Sequence, residues 1–563
     1  MEPPMRTLLL LIILTLLATV WLAAPAFAQW STTPYGDLTI YAGPFSYNQV
    51  WLIPDPCQLG NGDFLVFYQV ATAGNTYHVY LQLIDPQGAK QWGGDGIPIS
   101  TADDSTQYGG HMIPDGQGGA FLVWWVARET GPDYELYGQH LGPEGQFLWD
   151  SAGVLLVTPG QDITWYEIDL CGDGEGGFYL AWSQEESATC SNSDPYLQRF
   201  DSLGQALWPQ PAALCLYPDR DQVEPKVCLR ERGGCFATWS DMRSGWYYTQ
   251  ARQKVTAEGQ ILWGPTGIYQ NDAGTAQAQL QAHPAGGFLY LDGACIYHFG
   301  EEGQILWEVE IGGDMPGVSA NQFAVSPSGR LYTPFFSDYF NTGDDDWDIF
   351  AQCLNFSGDH LWSPRYPLLA REPGDWQVEP LIALTPDGFL TAYEQPRHGL
   401  YHGNIFFQIA DSLGQPQLNR HGAPLRISHR EKQLKALIPD GTGGAIAFWE
   451  KTGSPYTLHA NRILSDGSLG YPEPAPAVKR EQQETAELSV GGNFVQVKLP
   501  QAGEVRAALY NLLGQQVKLI MDGGQEAGRH HYTIDTRGLA SGVYFVRLQY
   551  QGEVRTTKII LSR

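Results

Sequence analysis

The chain is poor in basic residues and rich in acidic ones. It has 33 Lys and Arg against 61 Asp and Glu, so its formal net charge at pH 7 is −28. A surface of this sign repels phosphate backbones, and the composition therefore argues against nucleic acid as a partner.

Metal-binding and catalytic motifs are also absent. None of the eight Cys forms a CxxC pair, the 13 His show no metal-ligand spacing, and neither GxSxG nor HExxH occurs. These absences argue against a structural zinc site, a nucleophile-elbow hydrolase and a zinc protease. Cys57, Cys171 and Cys228 fill a repeat position that elsewhere holds Ile, so we expect buried thiols there.

Long apolar runs are confined to the N-terminus. Residues 8–24 are apolar, Arg6 precedes them, and Ala26-Phe27-Ala28 supplies the small residues of a signal-peptidase site. We therefore predict a signal peptide over residues 1–28, with a single membrane anchor as the alternative. No Cys follows the cleavage site, which argues against lipid anchoring, and we expect no transmembrane span in the mature chain.

Two short phrases recur through most of the remaining sequence. The first is DGxGG before an apolar run, as in DGQGGAFLVWW, and it has eight strong or weak copies. The second is GxxxW, whose glycines are Gly88, Gly145, Gly204, Gly259, Gly303, Gly358, Gly414 and Gly467. These glycines lie 57, 59, 55, 44, 55, 56 and 53 residues apart, a period typical of a repeat architecture. A Gln precedes the glycine in six copies, and we interpret it as a hydrogen-bonded core residue.

Each repeat is predicted to contain four short strands, which in the third repeat are residues 166–171, 178–183, 196–200 and 206–215. The second strand is apolar on both faces, as in FLVFY and FYLAW, so sheets must pack above and below it. This pattern predicts an all-β, eight-bladed β-propeller over residues 29–470, and the 44-residue step leaves seven blades as an alternative. The last repeat lacks a fourth strand, and we expect residues 36–41 to pair with it and close the ring.

The sequence changes character near Tyr471. Residues 471–486 are Pro-rich and charged, which predicts a linker. Residues 487–563 lack the GxxxW repeat and contain alternating strands, which predict a small immunoglobulin-like antiparallel β-sandwich.

Both regions resemble known families. Repeats such as YGQHLGPEGQFLW resemble those of secreted bacterial β-propeller proteins, which implies the fold without implying an activity. The segments VRAALYNLLGQQV, AGRHHYTID, RGLASGVYFVRLQ and TKIILSR resemble the type A C-terminal sorting domain of type IX secretion. Its motif residues are Tyr510, Gly514, Gly538, Leu539, Gly542 and Tyr544. This resemblance implies the type IX translocon as a partner and passage through the periplasm to the cell surface or beyond; an ordinary immunoglobulin-like module is the alternative.

Candidate site residues come from the long, variable loops, which are acidic and aromatic. Such loops suit sugar hydroxyls stacked on rings, or cationic groups, and the alternative is that they only keep an exported protein soluble. The candidate ligand-binding residues are Trp165, Asp219, Asp221, Asp241, Trp246 and Trp376. Calcium is the one cofactor suggested, at Asp344, Asp346 and Asp348, although this loop lacks EF-hand spacing.

Taken together, these patterns predict an exported, non-enzymatic propeller that binds carbohydrate or another surface protein. The alternative is a secreted hydrolase of polysaccharides. Its carboxylates would come from Asp219, Glu224, Asp241, Glu379 and Glu394.

Overall fold

The computed structural model describes residues 30–42, 50–52, 56–71, 76–100, 106–127, 134–158, 163–187, 190–217, 220–230, 233–245, 248–270, 279–340, 347–372, 375–396, 403–428, 432–451, 456–470, 487–491, 494–499, 502–511, 515–550 and 553–561. They fall into two compact units, which divide between Tyr471 and Pro472. These ranges contain strands and turns, and no helix in them is long and apolar enough to cross a membrane. The predicted all-β class is confirmed.

In the first unit, the described strands form eight antiparallel sheets, which we number as blades in chain order. The first strand, β1 (Leu38–Tyr41), belongs to blade 8. Blade 1 contains β2 (Val50–Leu52), β3 (Cys57–Gln58), β4 (Phe64–Ala71), β5 (Tyr77–Ile84) and β6 (Ile97–Pro98). Blade 2 contains β7 (Gln107–Pro114), β8 (Ala120–Ala127), β9 (Tyr134–Leu141) and β10 (Val154–Val157). Blade 3 contains β11 (Ile163–Gly172), β12 (Phe178–Ser187), β13 (Cys190–Phe200) and β14 (Ala212–Ala213).

The remaining blades repeat this order. Blade 4 contains β15 (Gln222–Leu229), β16 (Cys235–Asp241), β17 (Thr249–Val255) and β18 (Ile268–Tyr269). Blade 5 contains β19 (Gln279–Ala282), β20 (Phe288–Leu291), β21 (Cys295–Phe299) and β22 (Ile305–Glu310). Blade 6 contains β23 (Ala324–Val325), β24 (Leu331–Ser337), β25 (Asp348–Leu354) and β26 (Leu368–Ala370). Blade 7 contains β27 (Val378–Thr385), β28 (Gly388–Gln395), β29 (Asn404–Asp411) and β30 (Ala423–Arg426). Blade 8 contains β31 (Lys432–Pro439), β32 (Ala445–Lys451) and β33 (Thr457–Ile463), with β1 at its edge.

Neighbouring blades share their apolar cores. Each of eight clusters of buried side chains draws on two consecutive blades, and one of them joins blade 8, through Phe448, to Phe64 and Tyr68 of blade 1. The sheets pack in succession, and the last packs against the first, so they form a closed ring. The first unit is therefore a β-propeller. The second strand of a blade therefore has a sheet on each side, and every residue of β4 and β16 is buried, as predicted.

In six of the eight GxxxW phrases, the glycine receives the tryptophan of the preceding blade, and Gly467 receives Leu418 instead. Gly259 has a φ of 85°, and a Cβ atom there would lie 2.7 Å from Cδ2 of Trp208. The Trp208 Nε1 donates to the carbonyl oxygen of Ala257 at 2.8 Å. The same close approach joins Trp92 to Gly145, Trp149 to Gly204, Trp263 to Gly303, Trp307 to Gly358, and Trp362 to Gly414. The tryptophan of the phrase is therefore a wedge between blades.

The N-terminal segment closes the ring. Strand β1 pairs with β33, with Leu38 opposite Ala460, which confirms the expected pairing of residues 36–41 with the last blade. Trp30 supplies the wedge that blade 8 lacks in its own phrase: its Nε1 donates to Pro86 O at 3.0 Å, and its ring lies 3.0 Å from a Cβ position at Gly88. This role was not predicted, because Trp30 stands outside any GxxxW phrase.

The Asp of the DGxGG phrase caps the turn between the first two strands. Asp173 Oδ1 accepts hydrogen bonds from the backbone N–H groups of Glu175 and Gly177, each at 2.8 Å. Its Oδ2 lies 2.8 Å from Nη2 of Arg199 on the third strand. The same pairing joins Asp115 to His140 and Asp440 to Arg462. Each copy therefore ties its turn to the third strand of its own blade.

The Gln of the repeat is a core hydrogen-bonding residue, as predicted. The Gln408 Nε2 donates to the carbonyl oxygens of Leu369 and Asn419, while its Oε1 accepts from the N–H groups of Ile409 and Leu418. Comparable bonds hold Gln82, Gln139, Gln198 and Gln253. In blade 6, the buried amide of Gln352 has no hydrogen-bond partner within the described ranges.

The fourth strand is shorter than predicted. Of residues 206–215, only Ala212–Ala213 form strand β14, while Ala206 bridges Phe200 across the preceding turn. Pro209 and Pro211 have no N–H to donate, which explains the interruption.

The Cys predicted to be buried are free thiols. Cys57 and Cys228 are buried and Cys171 is partly buried. Burial raises the pKa of the Cys228 thiol well above its ordinary value, which keeps it protonated and unreactive.

The second unit is a two-sheet antiparallel sandwich. Its strands are β34 (Glu487–Gly491), β35 (Phe494–Leu499), β36 (Gly503–Tyr510), β37 (Gln516–Gln525), β38 (Gly528–Thr533), β39 (Gly542–Tyr550) and β40 (Glu553–Leu561). Strands β34, β35 and β38 form one sheet, and the other four form the second. One apolar cluster fills the space between them, with Val497 from the first sheet and Val546 from the second. The alternating pattern of the tail thus predicted its two packed antiparallel sheets, and the immunoglobulin-like topology stays a prediction.

Candidate functional site

The blades present two different rims to their surroundings. The turns that join the first strand to the second, and the third to the fourth, lie on one side, which we call the turn rim. The connections between the second and third strands and between blades lie on the opposite side, the loop rim, because antiparallel strands alternate in direction. Of the predicted ligand-binding residues, Asp221, Asp241 and Trp376 belong to the loop rim. Asp219, Trp246 and the side chain of Trp165 lie outside the described residues.

Asp241 ends strand β16 on the loop rim, but its carboxylate is fully buried. The Arg243 Nη2 donates to Asp241 Oδ2 at 2.7 Å, and Trp239 Nε1 donates to the same oxygen at 3.0 Å. The Arg243 guanidinium also lies over the rings of Tyr217 and Tyr269. This arrangement neutralises the carboxylate inside blade 4 and favours a structural role.

Asp348, the described member of the predicted calcium loop, also points into the protein. Its side chain is fully buried, and its Oδ2 lies 3.6 Å from Nε of Arg371. Asp344 and Asp346 lie outside the described residues. Within the described ranges, no three His, Cys, Asp or Glu side chains are grouped to hold a metal ion, and the calcium site stays a prediction.

The other two described candidates are Asp221 and Trp376. Asp221 Oδ1 accepts a hydrogen bond from the N–H of Ser193 at 3.1 Å, which links blade 4 to strand β13 of blade 3. Trp376 is partly buried, and its Nε1 has no hydrogen-bond partner among the residues described.

A belt of polar side chains lies on or just before the first strands, which are neighbours around the ring axis. The axial belt consists of His111, Asp169, Lys226, Gln279 and Gln322. Asp169 Oδ2 accepts from the N–H of Val227 in the next blade at 2.8 Å. The same kind of bond joins Gln279 to Phe323 at 2.7 Å and Gln322 to Ile382 at 3.3 Å. These side chains satisfy backbone groups that face the axis, which explains polar residues here without a ligand.

Charged members of the axial belt are neighbours. Asp169 Oδ1 lies 3.7 Å from Lys226 Nζ and 4.0 Å from His111 Nδ1. Burial and the positive charge of Lys226 lower the pKa of His111 from 6.5 to about 4, against the opposing effect of Asp169. His111 is therefore neutral near pH 7.

Two glutamates stand out at the loop-rim end of the first strands. Glu224 and Glu379 each have a φ of 55°, and they are the only non-glycine residues with positive φ in the described part of the chain. Each belongs to a Gln-Val-Glu-Pro segment in which the strand bulges, and each is exposed. Ser240 Oγ donates to Glu224 Oε2 at 3.0 Å, and Asn321 Nδ2 donates to Glu379 Oε2 at 2.6 Å.

The backbone at these two glutamates is strained. Positive φ places Cβ close to the backbone and costs about 1–3 kcal/mol for a residue other than glycine. Blade 2 bulges at the equivalent position with Gly109 and Gly110, so the fold itself does not require a glutamate there. In contrast, Glu394 is buried and accepts from the N–H of Leu434 at 2.7 Å, which binds blade 7 to blade 8. We therefore take Glu224 and Glu379 as the centre of the candidate site.

The sequence contains a signal for this pair. QVEP occurs twice, in blades 4 and 7, and both glutamates were among the carboxylates considered for catalysis. Their shared backbone conformation was missed, because nothing in residue type alone indicates positive φ at a glutamate.

In the second unit, the motif RGLASGVY forms the turn that leads into β39. Gly538 has a φ of 82°, Leu539 packs against the apolar cluster, and Tyr544 Oη donates to Ala540 O at 3.0 Å. Gly542 begins β39 and Tyr510 ends β36, whereas Gly514 lies outside the described residues. Residues 492–562 match the family model described as secretion system C-terminal sorting domain. The tail is a secretion sorting domain. It marks the chain for type IX export to the cell surface or outside the cell.

Comparison of the whole chain finds solved structures at low identity. An α-L-arabinofuranosidase of Fusarium graminearum is 13% identical, over 58% of this chain and 99% of that one, with a TM-score of 0.35. An endo-arabinase of Bacteroides thetaiotaomicron is 12% identical, over 49% and 96%, with a TM-score of 0.27. PorZ, a surface component of the type IX secretion system of Porphyromonas gingivalis, is 10% identical, over 93% and 82%, with a TM-score of 0.22. No curated protein matches the chain. Likenesses this weak assign no activity to this chain.

Proposed function

We propose that the exported propeller is a glycan-binding module whose site lies at the loop-rim end of the ring axis, at Glu224 and Glu379. The observation that carries this proposal is the strained backbone that the two glutamates share. Strain that the fold does not need is maintained where a side chain must be aimed at a ligand. Both carboxylates are exposed, so they are available to sugar hydroxyl groups.

Carboxylates fit this role because each of their oxygens accepts hydrogen bonds from neighbouring sugar hydroxyls. Ser240 and Asn321 hold one oxygen of each glutamate, which orients the group. Trp376 stands three residues before Glu379, where an aromatic ring adds an apolar face for sugar stacking.

The test uses the purified mature chain on a glycan array, followed by calorimetric titration of the glycan that binds best. The double variant Glu224→Gly/Glu379→Gly should bind at least tenfold more weakly. It should also be as stable as the parent or more stable, because glycine relieves the positive φ. Glu144→Gln, an exposed carboxylate of the turn rim, is the matched control and should leave binding unchanged.

Two results would contradict binding as the function. One is the absence of any glycan that binds the parent chain. The other is release of reducing sugar that disappears in the double variant, which would make the protein a hydrolase with these two carboxylates.

A further inference from the structure

A hydroxyl, an imidazole and a carboxylate are neighbours at the loop-rim end of blade 8. Thr457 and His459 lie two residues apart on strand β33, so their side chains point to the same face of the sheet. Thr457 Oγ1 lies 2.6 Å from Nε2 of His459. On the other side of the imidazole ring, Nδ1 lies 3.1 Å from Oδ1 of Asp37. The imidazole therefore connects a hydroxyl to a carboxylate.

The contacts of His459 fix its tautomer. Burial alone would raise the pKa of Asp37, but the hydrogen bond from His459 and the positive charges nearby lower it to about 2, so Asp37 is ionised. A carboxylate only accepts hydrogen bonds, and Nδ1 of His459 therefore carries the proton and donates to it. Thr39 Oγ1, at 3.3 Å, is a second neighbour of Nδ1. Nε2 is left with its lone pair, which accepts from the hydroxyl of Thr457.

This imidazole is ready to take a proton. Burial lowers the pKa of His459, while the hydrogen bond and the charge of Asp37 oppose that effect. His459 is therefore neutral near pH 7. A neutral imidazole can remove the proton of a hydroxyl that is bonded to it, and a carboxylate behind it stabilises the imidazolium that forms. His459 is 3% exposed and Thr457 is partly exposed, so the hydroxyl is the end of the arrangement nearest to solvent.

Other blades show that the fold does not need these side chains. Asp37 directly precedes the fourth strand of its blade, and His459 pairs with the second residue of that strand. At the position of Asp37, blades 1, 2, 4 and 7 have Gly96, Gly153, Gly267 and Gly422. At the position of His459, the same blades have Tyr80, Tyr137, Ala251 and Phe406. Scaffold requirements therefore do not explain the carboxylate and the imidazole of blade 8.

A cation lies beside the hydroxyl. Lys451 on β32 is directly opposite Thr457, and side chains in this relation are close neighbours on one face. Its Nζ is 3.6 Å from Oδ2 of Asp37, and its side chain is 17% exposed. An ammonium group at this place can stabilise negative charge that develops on an oxygen next to Thr457.

We propose that Thr457 is a nucleophile for carboxylic esters, with His459 as its general base and Asp37 as the residue that positions the imidazole. Thr457 Oγ1 attacks the carbonyl carbon of the ester while its proton moves to Nε2 of His459. The bond from that carbon to the alcohol oxygen then breaks, and the alcohol leaves with the proton from Nε2. Water attacks the acylated threonine by the same route, which releases the carboxylic acid and restores the hydroxyl. Glu224 and Glu379 lie in other blades, so the proposal does not rest on glycan binding.

The experiment measures release of p-nitrophenol from p-nitrophenyl acetate by the purified, exported protein. Thr457→Val should lower the rate at least about tenfold, whereas Thr457→Ser retains a hydroxyl and should retain the activity. Thr249→Val is the matched control and should leave the rate unchanged. Thr249 begins the third strand of blade 4, as Thr457 does in blade 8, but Ala251 stands where the histidine would be.

Peptide mass spectrometry after an acid quench locates the acetyl group, which should be on Thr457. Three results would overturn the proposal: no release above buffer by the parent chain, equal release by the parent and Thr457→Val, or an acetyl group that is found only on other residues.

Two further variants test the imidazole and its carboxylate. His459→Phe introduces the residue type that blade 7 has at this position, so the melting temperature should be retained while the rate falls at least about tenfold. Asp37→Asn removes a charge that raises the pKa of His459, so the midpoint of the pH–rate profile should move to lower pH. Full activity of His459→Phe would exclude the general base, and an unchanged midpoint in Asp37→Asn would exclude the positioning role.

Discussion

At the scale of single residues, the candidate carboxylates fall into two groups: some point into the protein and others face solvent. Asp241 and Asp348 are buried and lie beside arginines, whereas Glu224 and Glu379 are exposed on a strained backbone. Residue type and position in a variable loop marked these side chains as candidates. They could not predict orientation, because that depends on contacts in the folded blade, such as the ion pair of Asp241 with Arg243.

The repeated Gln offers a test at this scale. Gln408→Leu would leave two N–H groups and two carbonyl groups buried without partners. Each such group costs about 1–3 kcal/mol. We therefore expect the free energy of unfolding to fall by about 3 kcal/mol or more. Gln352→Leu is the matched control, because the amide of Gln352 has no such partners within the described residues. It should change stability by less than about 1 kcal/mol or increase it. Denaturant unfolding measures both, and equal losses would show that the hydrogen bonds of Gln408 contribute little.

At the scale of elements, the two repeated phrases predicted the blades because each encodes a local device. DGxGG encodes a capped turn, and GxxxW encodes a turn with a wedge for the next blade. The fourth strands were predicted less well, because they pair on one side only and are interrupted by proline, as after Trp208. The position of Trp30 was not predictable from the repeat, since Trp30 stands outside any GxxxW phrase.

Blade 5 replaces the Asp of the turn with a histidine, and this predicts a pH dependence. His283 Nδ1 accepts from the N–H of Ala285 at 3.1 Å, and its ring stacks on His298 with centroids 3.7 Å apart. Burial, and to a lesser extent His298, lower the pKa of His283 from 6.5 to about 4. Between these two pKa values, His283 is protonated in the unfolded chain but neutral in the folded one. The free energy of unfolding therefore falls as the pH drops from about 6.5 towards about 4.

His283→Asp restores the residue found in blades 2, 3 and 8, which pairs there with His140, Arg199 or Arg462 on the third strand. Between pH 7 and pH 5, the free energy of unfolding should fall by about 1–2 kcal/mol less in the variant than in the parent. Guanidinium unfolding at both pH values measures the difference. The same loss in parent and variant would mean that other groups set the acid sensitivity.

At the scale of the whole molecule, the structure joins a closed acidic ring to a sorting tail, each with its own apolar core. The eight shared cores close the ring. Strand β1 and Trp30, from the N-terminal end of the unit, complete the contact between the last blade and the first. Because the last blade is completed by Leu38–Tyr41, the ring depends on contacts between the first and last parts of its sequence. Contacts this distant in sequence form slowly, so we expect closure to be the slow step of folding.

The most direct test of the closed ring is a crystal or cryo-electron microscopy structure of the exported, processed protein. It should show Leu38–Tyr41 paired with Thr457–Ile463, and the Trp30 indole against Gly88 with its Nε1 directed at Pro86 O. A row of blades whose first and last members do not meet, or residues 30–41 placed elsewhere, would contradict the account.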